Sequence, residues 1–273
     1  MFTKTKILFT DLDDTLLNRK KQITPQNADA IEEALEKGHR IVINTGRPLI
    51  GALEQIQALH LERKGCYAIT YNGGLIYDCY THKTIYKKAI PLPYVHHIFQ
   101  QTAKAGIHCQ TYDAKGILSA KETSCLQRYS SKTGVPYRII PDLPYSMTEE
   151  PVKILAIDDE HPQKLHAYRE SLTEWAENKI SVFFSSTSYL EHVANGVSKG
   201  AAMKILCEIL DIPLINTISV GDAENDIPMI QTAHIGAAMK NATPQVKAVA
   251  DYITENDCEN SGFAEVIRKF LLT

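Results

Sequence analysis

The stretch that decides the fold of this chain is KILFTDLDDT, residues 6–15, where an apolar run ends in closely spaced carboxylates. The run from Lys6 to Leu12 is typical of a parallel strand that is covered on both faces. Because side chains alternate along an extended segment, Asp11 and Asp13 lie on the same side. Such a pair is costly without a cation, and its oxygen ligands suit Mg²⁺. One carboxylate can then act as a nucleophile and the other as an acid or base. The alternative is a turn that caps a helix, since Asp and Thr favour such positions.

Strands and helices alternate on the C-terminal side of this segment. Thr24 can cap a helix that starts at Pro25 and ends at Gly38, and residues 39–44 form the next strand. A helix is predicted over 48–59 and a strand over 67–71. This strict alternation predicts a doubly wound, mostly parallel α/β sheet.

The pattern changes after Asn72-Gly73-Gly74. A hairpin over 75–86 is followed by about a hundred residues of short strands and helices, which indicate an α+β insertion with an antiparallel sheet. The α/β alternation returns at Ser198. The predicted domains are a catalytic core of residues 1–81 and 190–273, and an inserted cap of residues 82–189.

Three further polar segments follow predicted strands or open helices, where open α/β sheets place their sites. Thr45-Gly46-Arg47 offers a hydroxyl and free backbone N–H groups before a helix, which is an anion cradle, although Arg47 could equally lie on the surface. Lys199 opens a helix, where a cation opposes the helix dipole unless an anion compensates it. A surface lysine is the plainer interpretation.

The segment Gly221-Asp222-Ala223-Glu224-Asn225-Asp226 sets three acidic groups and an amide at a strand-to-helix turn. Helix capping accounts for one of these side chains. Four polar groups together indicate a metal and phosphate site.

Composition narrows the class of protein. The chain has 273 residues, 44% hydrophobic and 22% charged, with 29 Lys and Arg against 32 Asp and Glu. This balance gives no support to nucleic-acid binding, which usually needs a concentrated basic face. The six cysteines show no metal-ligand spacing and are predicted to be reduced and mostly buried. No apolar run reaches the ~20 residues of a membrane span or forms a signal-peptide core. A cytoplasmic protein without membrane or nucleic-acid partners is expected.

The four segments, taken in order, resemble the four motifs of the haloacid dehalogenase superfamily. The large insertion between the second and third motifs resembles the α+β cap of the Cof-type sugar-phosphatase branch. The resemblance covers nearly the whole chain. The segments that carry it are Asp-x-Asp-x-Thr at 11–15, Thr-Gly-Arg at 45–47, Tyr-Asn-Gly-Gly at 71–74, Leu-Glu at 190–191, Lys199, and Gly-Asp-x-x-Asn-Asp at 221–226.

The resemblance implies a role for each matching residue. Asp11 is the expected nucleophile, forming an aspartyl-phosphate, and Asp13 the expected general acid and base. The implied Mg²⁺ site consists of Asp11, the backbone carbonyl of Asp13, Asp222 and, in support, Asp226. The implied phosphate-binding groups are the Leu12 backbone N–H, Thr45, Gly46, Lys199 and Asn225, with Arg47 as a further candidate. Asp14 departs from the family pattern, which most often has Gly there, but Asp also tolerates turn conformations.

Other polar clusters have plainer interpretations. Residues 158–161, Asp-Asp-Glu-His, are predicted to form a capping turn rather than a metal site, and His96-His97 to lie on a solvated helix surface. Packing is the expected role of Tyr112, Tyr129 and Tyr189. Asn72 and Glu191 are candidates to reach a ligand.

The predicted function is hydrolysis of small phosphomonoesters such as sugar phosphates, nucleotides or phosphorylated cofactors. A cap that opens and closes would admit the substrate and exclude water. Two alternatives remain: a phosphomutase that uses the same Asp11 chemistry, and a non-catalytic binder of a phosphorylated ligand. The pair Asp11 and Asp13 argues against the binder, because binding alone needs no acid–base partner. The sequence leaves the substrate and the oligomeric state open.

Overall fold

The computed structural model of the protein describes residues 5–273. The strands are β1 (Ile7–Thr10), β2 (Arg40–Asn44), β3 (Tyr67–Thr70), β4 (Leu75–Asp78), β5 (Lys83–Lys87), β6 (His108–Asp113), β7 (Gly116–Ser119), β8 (Tyr137–Ile139), β9 (Lys153–Ile157), β10 (Ile180–Ser186), β11 (Tyr189–Ala194), β12 (Thr217–Gly221), β13 (Ile235–Ala238) and β14 (Tyr252–Ile253). The helices are α1 (Pro25–Glu36), α2 (Leu53–Ala58), α3 (Leu92–Lys104), α4 (Ser124–Thr133), α5 (Gln163–Ala176), α6 (Lys199–Ile209), α7 (Ile227–Thr232), α8 (Pro244–Lys247) and α9 (Gly262–Phe270).

The residues group into two compact units. The first comprises the described residues up to Gly46, together with Ala52–Tyr86 and Ser198–Thr273. The second comprises Arg47–Gly51 and Lys87–Val197.

The first unit is built on an 8-stranded sheet in the order β14-β13-β12-β1-β2-β3-β4-β5. β1 lies in the middle and runs parallel to both neighbours, with Leu8 opposite Ile218 on one side and Ile41 on the other. Successive strands are added on one side of β1 and then on the other, so the strand order reverses there. Such a switch point leaves a crevice at the carboxyl ends of the strands. The predicted doubly wound α/β fold is confirmed.

Burial explains why these segments form the core of the first unit. All residues of β1 and β12 are buried, as parallel strands covered on both faces require. Each fully buried Ile, Leu or Phe side chain contributes roughly 1.5–3 kcal/mol. Helix α1 begins where expected, because the Thr24 side chain accepts a hydrogen bond from the Asn27 N–H and Pro25 occupies the first turn. Its buried face includes Ile31 and Ala34.

The second unit contains a 6-stranded sheet in the order β10-β11-β9-β6-β7-β8. All its strand pairs are antiparallel except β7 with β8. Helix α4 is capped by Thr123 and ends at Gly134 in the left-handed conformation. Alternate positions of β9 join hydrophobic clusters with helices α3 and α5: Ile154 belongs to the cluster that contains Ile98, and Ala156 to the cluster that contains Leu172. This is the mixed α+β unit that the sequence predicts for the insertion.

Two boundaries differ from the prediction. The second unit runs from Lys87 to Val197 rather than over 82–189. Strand β5 belongs to the first sheet, and β11 continues to Ala194 along β10. The predicted helix over 48–59 is split into a 3₁₀ turn at Leu49–Gly51 and the short helix α2.

The interpretation of His96 and His97 as a solvated surface is wrong. Both side chains are half-buried, and the His97 ring stacks on Trp175 with the ring centroids 4.0 Å apart. The polar segment at 158–161 is a turn as predicted, since Asp158 Oδ1 accepts from the His161 N–H at 2.7 Å.

Three tyrosines of the second unit pack as predicted. The Tyr112 hydroxyl donates to the Tyr129 hydroxyl at 3.0 Å, and the Tyr129 ring meets Tyr189 edge-on.

The cysteines are free, and Cys66, Cys79, Cys207 and Cys258 are buried. Within residues 5–273, no helix combines the length and apolarity that a membrane span requires.

His192 in β11 is a wholly buried titratable group of the second unit. Its Nδ1 lies 3.3 Å from the Ile154 carbonyl oxygen, and its Nε2 lies 3.1 Å from the Tyr168 hydroxyl oxygen. A neutral ring with its proton on Nδ1 donates to the carbonyl and accepts from the hydroxyl. Burial lowers the pKa of His192 to about 4, although the hydrogen bond to Ile154 opposes the shift.

We expect the protein to lose stability as the pH falls from about 6.5 towards 4, because the unfolded chain takes up a proton that folded His192 excludes. The full effect, reached below pH 4, is roughly 3 kcal/mol. The variant His192→Asn keeps an N–H donor without a titrating group and should lose this pH-dependent component. Urea unfolding at each pH can be followed by the fluorescence of Trp175, the only tryptophan of the chain. A wild-type-minus-variant difference in unfolding free energy that stays constant with pH would contradict the assignment.

Candidate active site

Four loops of the first unit supply the polar groups of the candidate site. Asp11 follows β1, Thr45 follows β2, Asp222 follows β12, and Lys199 is the first residue of α6. Because β1, β2 and β12 are parallel neighbours, their carboxyl ends lie at one edge of the sheet. This edge is where an open α/β sheet binds its ligand.

Lys199 joins two of these loops. Its Nζ lies 2.5 Å from Asp11 Oδ1 and 2.5 Å from Asp226 Oδ1, and its side chain is completely buried. Burial lowers the pKa of Lys199, but the two carboxylates outweigh burial and raise the pKa above its usual range. A lysine at the start of a helix needs a compensating anion, and Lys199 has two. These are the carboxylates of Asp11 and Asp226, which lie 188 and 27 positions away in the sequence.

Asp11, Asp222 and Asp226 form a crowded acidic cluster. One carboxylate oxygen from each lies within 4.8 Å of the others. Burial raises the pKa of Asp11 to about 7; Lys199 opposes the shift, whereas Asp226 and Asp13 add to it. Burial likewise raises the pKa of Asp222 to about 8, with Asp11 and Asp226 contributing. The single positive charge of Lys199 therefore does not balance the negative charge of the three carboxylates.

The donor set fits a hard divalent cation such as Mg²⁺, which binds carboxylate oxygens. Within the part of the chain that the structure describes, this is the one cluster of His, Cys, Asp or Glu side chains close enough to share a metal ion. Asp226 already uses both oxygens: Oδ1 pairs with Lys199, and Oδ2 accepts from the N–H groups of Asp222 and Ala223 at 2.9 and 3.0 Å. Asp11 and Asp222 are therefore the better direct ligands, and Asp226 holds the loop.

Asp13 lies outside the acidic cluster. Its carboxylate is 2.8 Å from Lys21 Nζ, and its side chain is 38% exposed. Asp14 has φ 58°, the left-handed region in which Gly is favoured and Asp is tolerated. Asp14 therefore adopts a conformation that suits the Gly of the family pattern and that Asp also tolerates.

The residues predicted to bind phosphate have different surroundings. Thr45 is buried, and its N–H donates to the Ile69 carbonyl at 2.9 Å. Leu12 is buried, and its carbonyl accepts from the Leu17 N–H at 2.8 Å. Asn225 donates through Nδ2 to Asn72 Oδ1 at 2.9 Å. Arg47 groups with the second unit, where Nη1 donates to the Gly51 carbonyl, and its phosphate contact stays a prediction.

Two further residues lie in this region: Thr15, for which the sequence predicts no individual role, and Asn72, which it predicts as a candidate to reach a ligand. The Thr15 hydroxyl donates to Asp222 Oδ1 at 2.8 Å and so orients a candidate metal ligand. Thr15 is the last residue of the motif at 11–15, and its place in that motif is the sequence feature from which a role in the site could be predicted. Asn72 lies against Gly46 and accepts a hydrogen bond from Asn225. The sequence feature that points to it is the Asn-Gly pair directly after a predicted strand.

Comparison with known proteins supports one family. The sequence model of the haloacid dehalogenase-like hydrolases matches residues 8–267. A 5-amino-6-(5-phospho-D-ribitylamino)uracil phosphatase of Bacillus subtilis is 31% identical over 268 residues, covering 98% of this chain and 96% of that protein.

Two solved structures are similar over nearly the whole chain. A haloacid dehalogenase-like hydrolase from Bacteroides thetaiotaomicron superposes with a TM-score of 0.90 at 30% identity, covering 97% of this chain and 99% of that one. A sugar phosphatase of subclass IIB of the same superfamily superposes with a TM-score of 0.83 at 26% identity, covering 98% and 100%. With the expected motifs at the carboxyl edge of the sheet, the chain belongs to the haloacid dehalogenase superfamily, and it is a phosphoric monoester hydrolase of the Cof-type branch.

Proposed function

We propose that the protein is a Mg²⁺-dependent phosphatase that hydrolyses small phosphomonoesters through an aspartyl-phosphate on Asp11, with Asp13 as general acid and base. The observation that carries the proposal is the contact of Asp11 with Lys199 beside Asp222, at the carboxyl end of the central strand. A nucleophile, a buried cation and a second carboxylate ligand are thereby held together by three loops.

The first half-reaction transfers the phosphoryl group to the protein. An Asp11 carboxylate oxygen attacks phosphorus, and the bond between phosphorus and the ester oxygen breaks. Asp13 gives its proton to the departing oxygen, so the alcohol leaves neutral. In this proposal, Lys199 and the amide of Asn225 neutralise and orient the phosphoryl oxygens.

The second half-reaction restores the protein. Asp13, now a carboxylate, takes a proton from water as the water oxygen attacks phosphorus. The bond between Asp11 and phosphorus breaks, inorganic phosphate is released, and Asp11 is again a carboxylate. When bound, Mg²⁺ supplies positive charge that neutralises the phosphoryl oxygens and keeps Asp11 ionised. Asp11, the Asp13 carbonyl and Asp222 would hold it, with Asp226 in support.

The proposed substrates are sugar phosphates, nucleotides and phosphorylated cofactors. One relative is named for a phosphate ester on a ribityl chain, and one structural neighbour for sugar phosphates. A small phosphate ester of an alcohol is common to both. A phosphomutase would use the same Asp11 chemistry but return the phosphoryl group to the sugar.

The test is phosphate release from a panel of phosphorylated sugars, nucleotides and cofactors, with Mg²⁺ and with a chelator. We expect release from several of them with Mg²⁺ and at least about a hundredfold less with chelator, because two carboxylates would otherwise repel the phosphoryl group. Isomerised sugar phosphate with little free phosphate would identify a mutase instead. Equal rates with and without chelator would rule out the metal-dependent mechanism.

A further inference from the structure

The turn that follows β3 has an unusual backbone. Tyr71 and Asn72 have φ 54° and 57°, so two consecutive non-glycine residues adopt the left-handed conformation. That conformation is unfavourable for L-residues and persists only where the surroundings impose it. Asn72 is 1% exposed, although it is a polar residue in a turn. The strained backbone and the burial together indicate that the surrounding residues hold the Asn72 side chain in one position.

Contacts of this turn connect three loops of the candidate site. The Asn72 N–H donates to the Thr45 carbonyl at 3.0 Å, and Asn72 Oδ1 accepts from Asn225 Nδ2 at 2.9 Å. A Cβ on Gly73 would lie 2.3 Å from the Ser198 carbonyl oxygen, so the turn packs directly against the residue before Lys199. The turn therefore lies among the loops that carry Thr45, Lys199 and Asn225.

The Asn72 amide also lies against Gly46. A Cβ at position 46 would be 2.9 Å from Asn72 Oδ1 and 3.2 Å from Nδ2, so only Gly leaves room for the amide. The Asn225 donor identifies Oδ1 as the acceptor and leaves Nδ2 as a donor. Among the residues that the structure describes, this buried Nδ2 has no hydrogen-bond partner. A buried donor without a partner is unfavourable, and native proteins rarely retain one without a use.

We propose that Asn72 is a further phosphate-binding residue, whose Nδ2 donates to a phosphoryl oxygen held at the Thr45–Gly46 loop. The inference rests on the proposed phosphatase function, because it places a phosphoryl group at these loops. A phosphoryl oxygen supplies the acceptor that Nδ2 lacks. The left-handed turn holds the amide in place before the ligand arrives.

The test is binding of inorganic phosphate, in the presence of Mg²⁺, by isothermal titration calorimetry. Asn72→Gly removes the amide and relieves the left-handed strain, so it should fold as stably as wild type. We expect its phosphate dissociation constant to rise about tenfold, which corresponds to 1.4 kcal/mol. Asn72→Asp keeps the acceptor for Asn225 but replaces the donor with an anion, and it should bind phosphate more weakly still.

The matched control is Thr70→Val. Thr70 is a buried residue of the adjoining strand end whose hydroxyl likewise has no hydrogen-bond partner among the described residues, and it has no assigned role in phosphate binding. Its phosphate affinity should equal that of wild type. If Asn72→Gly lowers stability, Asn72→Ser serves as the second substitution.

Two results separate this inference from the proposed function. Wild-type phosphate affinity in Asn72→Gly, together with metal-dependent hydrolysis by the wild type, would overturn the role of Asn72 alone. Wild-type protein that neither hydrolyses the panel nor binds phosphate would overturn both. Equal loss of affinity in Asn72→Gly and Thr70→Val would show that the turn acts only through local packing.

Discussion

Asp11→Asn should lose turnover by more than about a thousandfold for every substrate, while the protein stays folded. The amide cannot attack phosphorus, and no other carboxylate in the cluster has the same position at the end of the central strand. Folding should persist because Lys199 keeps its ion pair with Asp226. Phosphate release measures turnover, and intact-protein mass spectrometry after rapid quenching detects the phosphoryl adduct, which the variant should lack. A folded variant with more than about a hundredth of wild-type activity would remove Asp11 from the role of nucleophile.

Asp13→Asn is the matched comparison for Asp11→Asn, because it changes the other carboxylate of the same segment. For a poor leaving group such as a sugar alkoxide, the rate should fall by about a hundredfold to ten-thousandfold. For nitrophenyl phosphate, whose leaving group needs no proton, the phosphoryl adduct should still form. Near-normal turnover of the sugar phosphate would contradict the acid–base role, whereas Asp11→Asn should be inactive with both substrates.

Lys199→Met should be both inactive and less stable. The substitution leaves Asp11 and Asp226 buried without their shared cation, and breaking a buried ion pair costs about 3–5 kcal/mol. The proposed Mg²⁺ site is the same carboxylate cluster, so the loss of stability should be smaller with Mg²⁺ than with chelator. Urea unfolding followed by circular dichroism under both conditions measures the difference.

Lys153→Met provides the control for this result. Lys153 is also fully buried and pairs with Glu191 at 3.0 Å, but it lies in the sheet of the second unit. Its removal should cost a similar amount of stability, and that cost should not depend on Mg²⁺. A Mg²⁺ effect of equal size in both variants would show that the metal does not act at the Lys199 cluster.

Local patterns account for the correct predictions. The apolar run before Asp11 and the Gly-Asp segment at 221–226 each combine a buried strand with polar residues at its carboxyl end. Both signals lie within about ten residues, so chain geometry alone predicts where the side chains emerge. The helix predicted over 48–59 failed because its residues divide between the two units, a tertiary effect that periodicity does not show.

Other features depend on side-chain partners that sequence patterns do not identify. His97 was expected to be solvated, but its stacking partner Trp175 belongs to another helix. The ion pair between Asp13 and Lys21 was not expected either. Neither partner could be chosen from sequence, because many aromatic or charged residues lie at comparable distances along the chain.

The sequence by itself determined the fold class, the family and the candidate residues of the site, because these follow from short-range periodicity and from four motifs in a fixed order. Only the tertiary structure decided how these residues share charge and hydrogen bonds. Lys199 pairs with both Asp11 and Asp226, and Asn72 meets Gly46 and Asn225. The physical reason is that burial makes each polar group depend on its partners, and the folded chain brings those partners together from distant loops, such as those of Asp11 and Lys199, 188 residues apart.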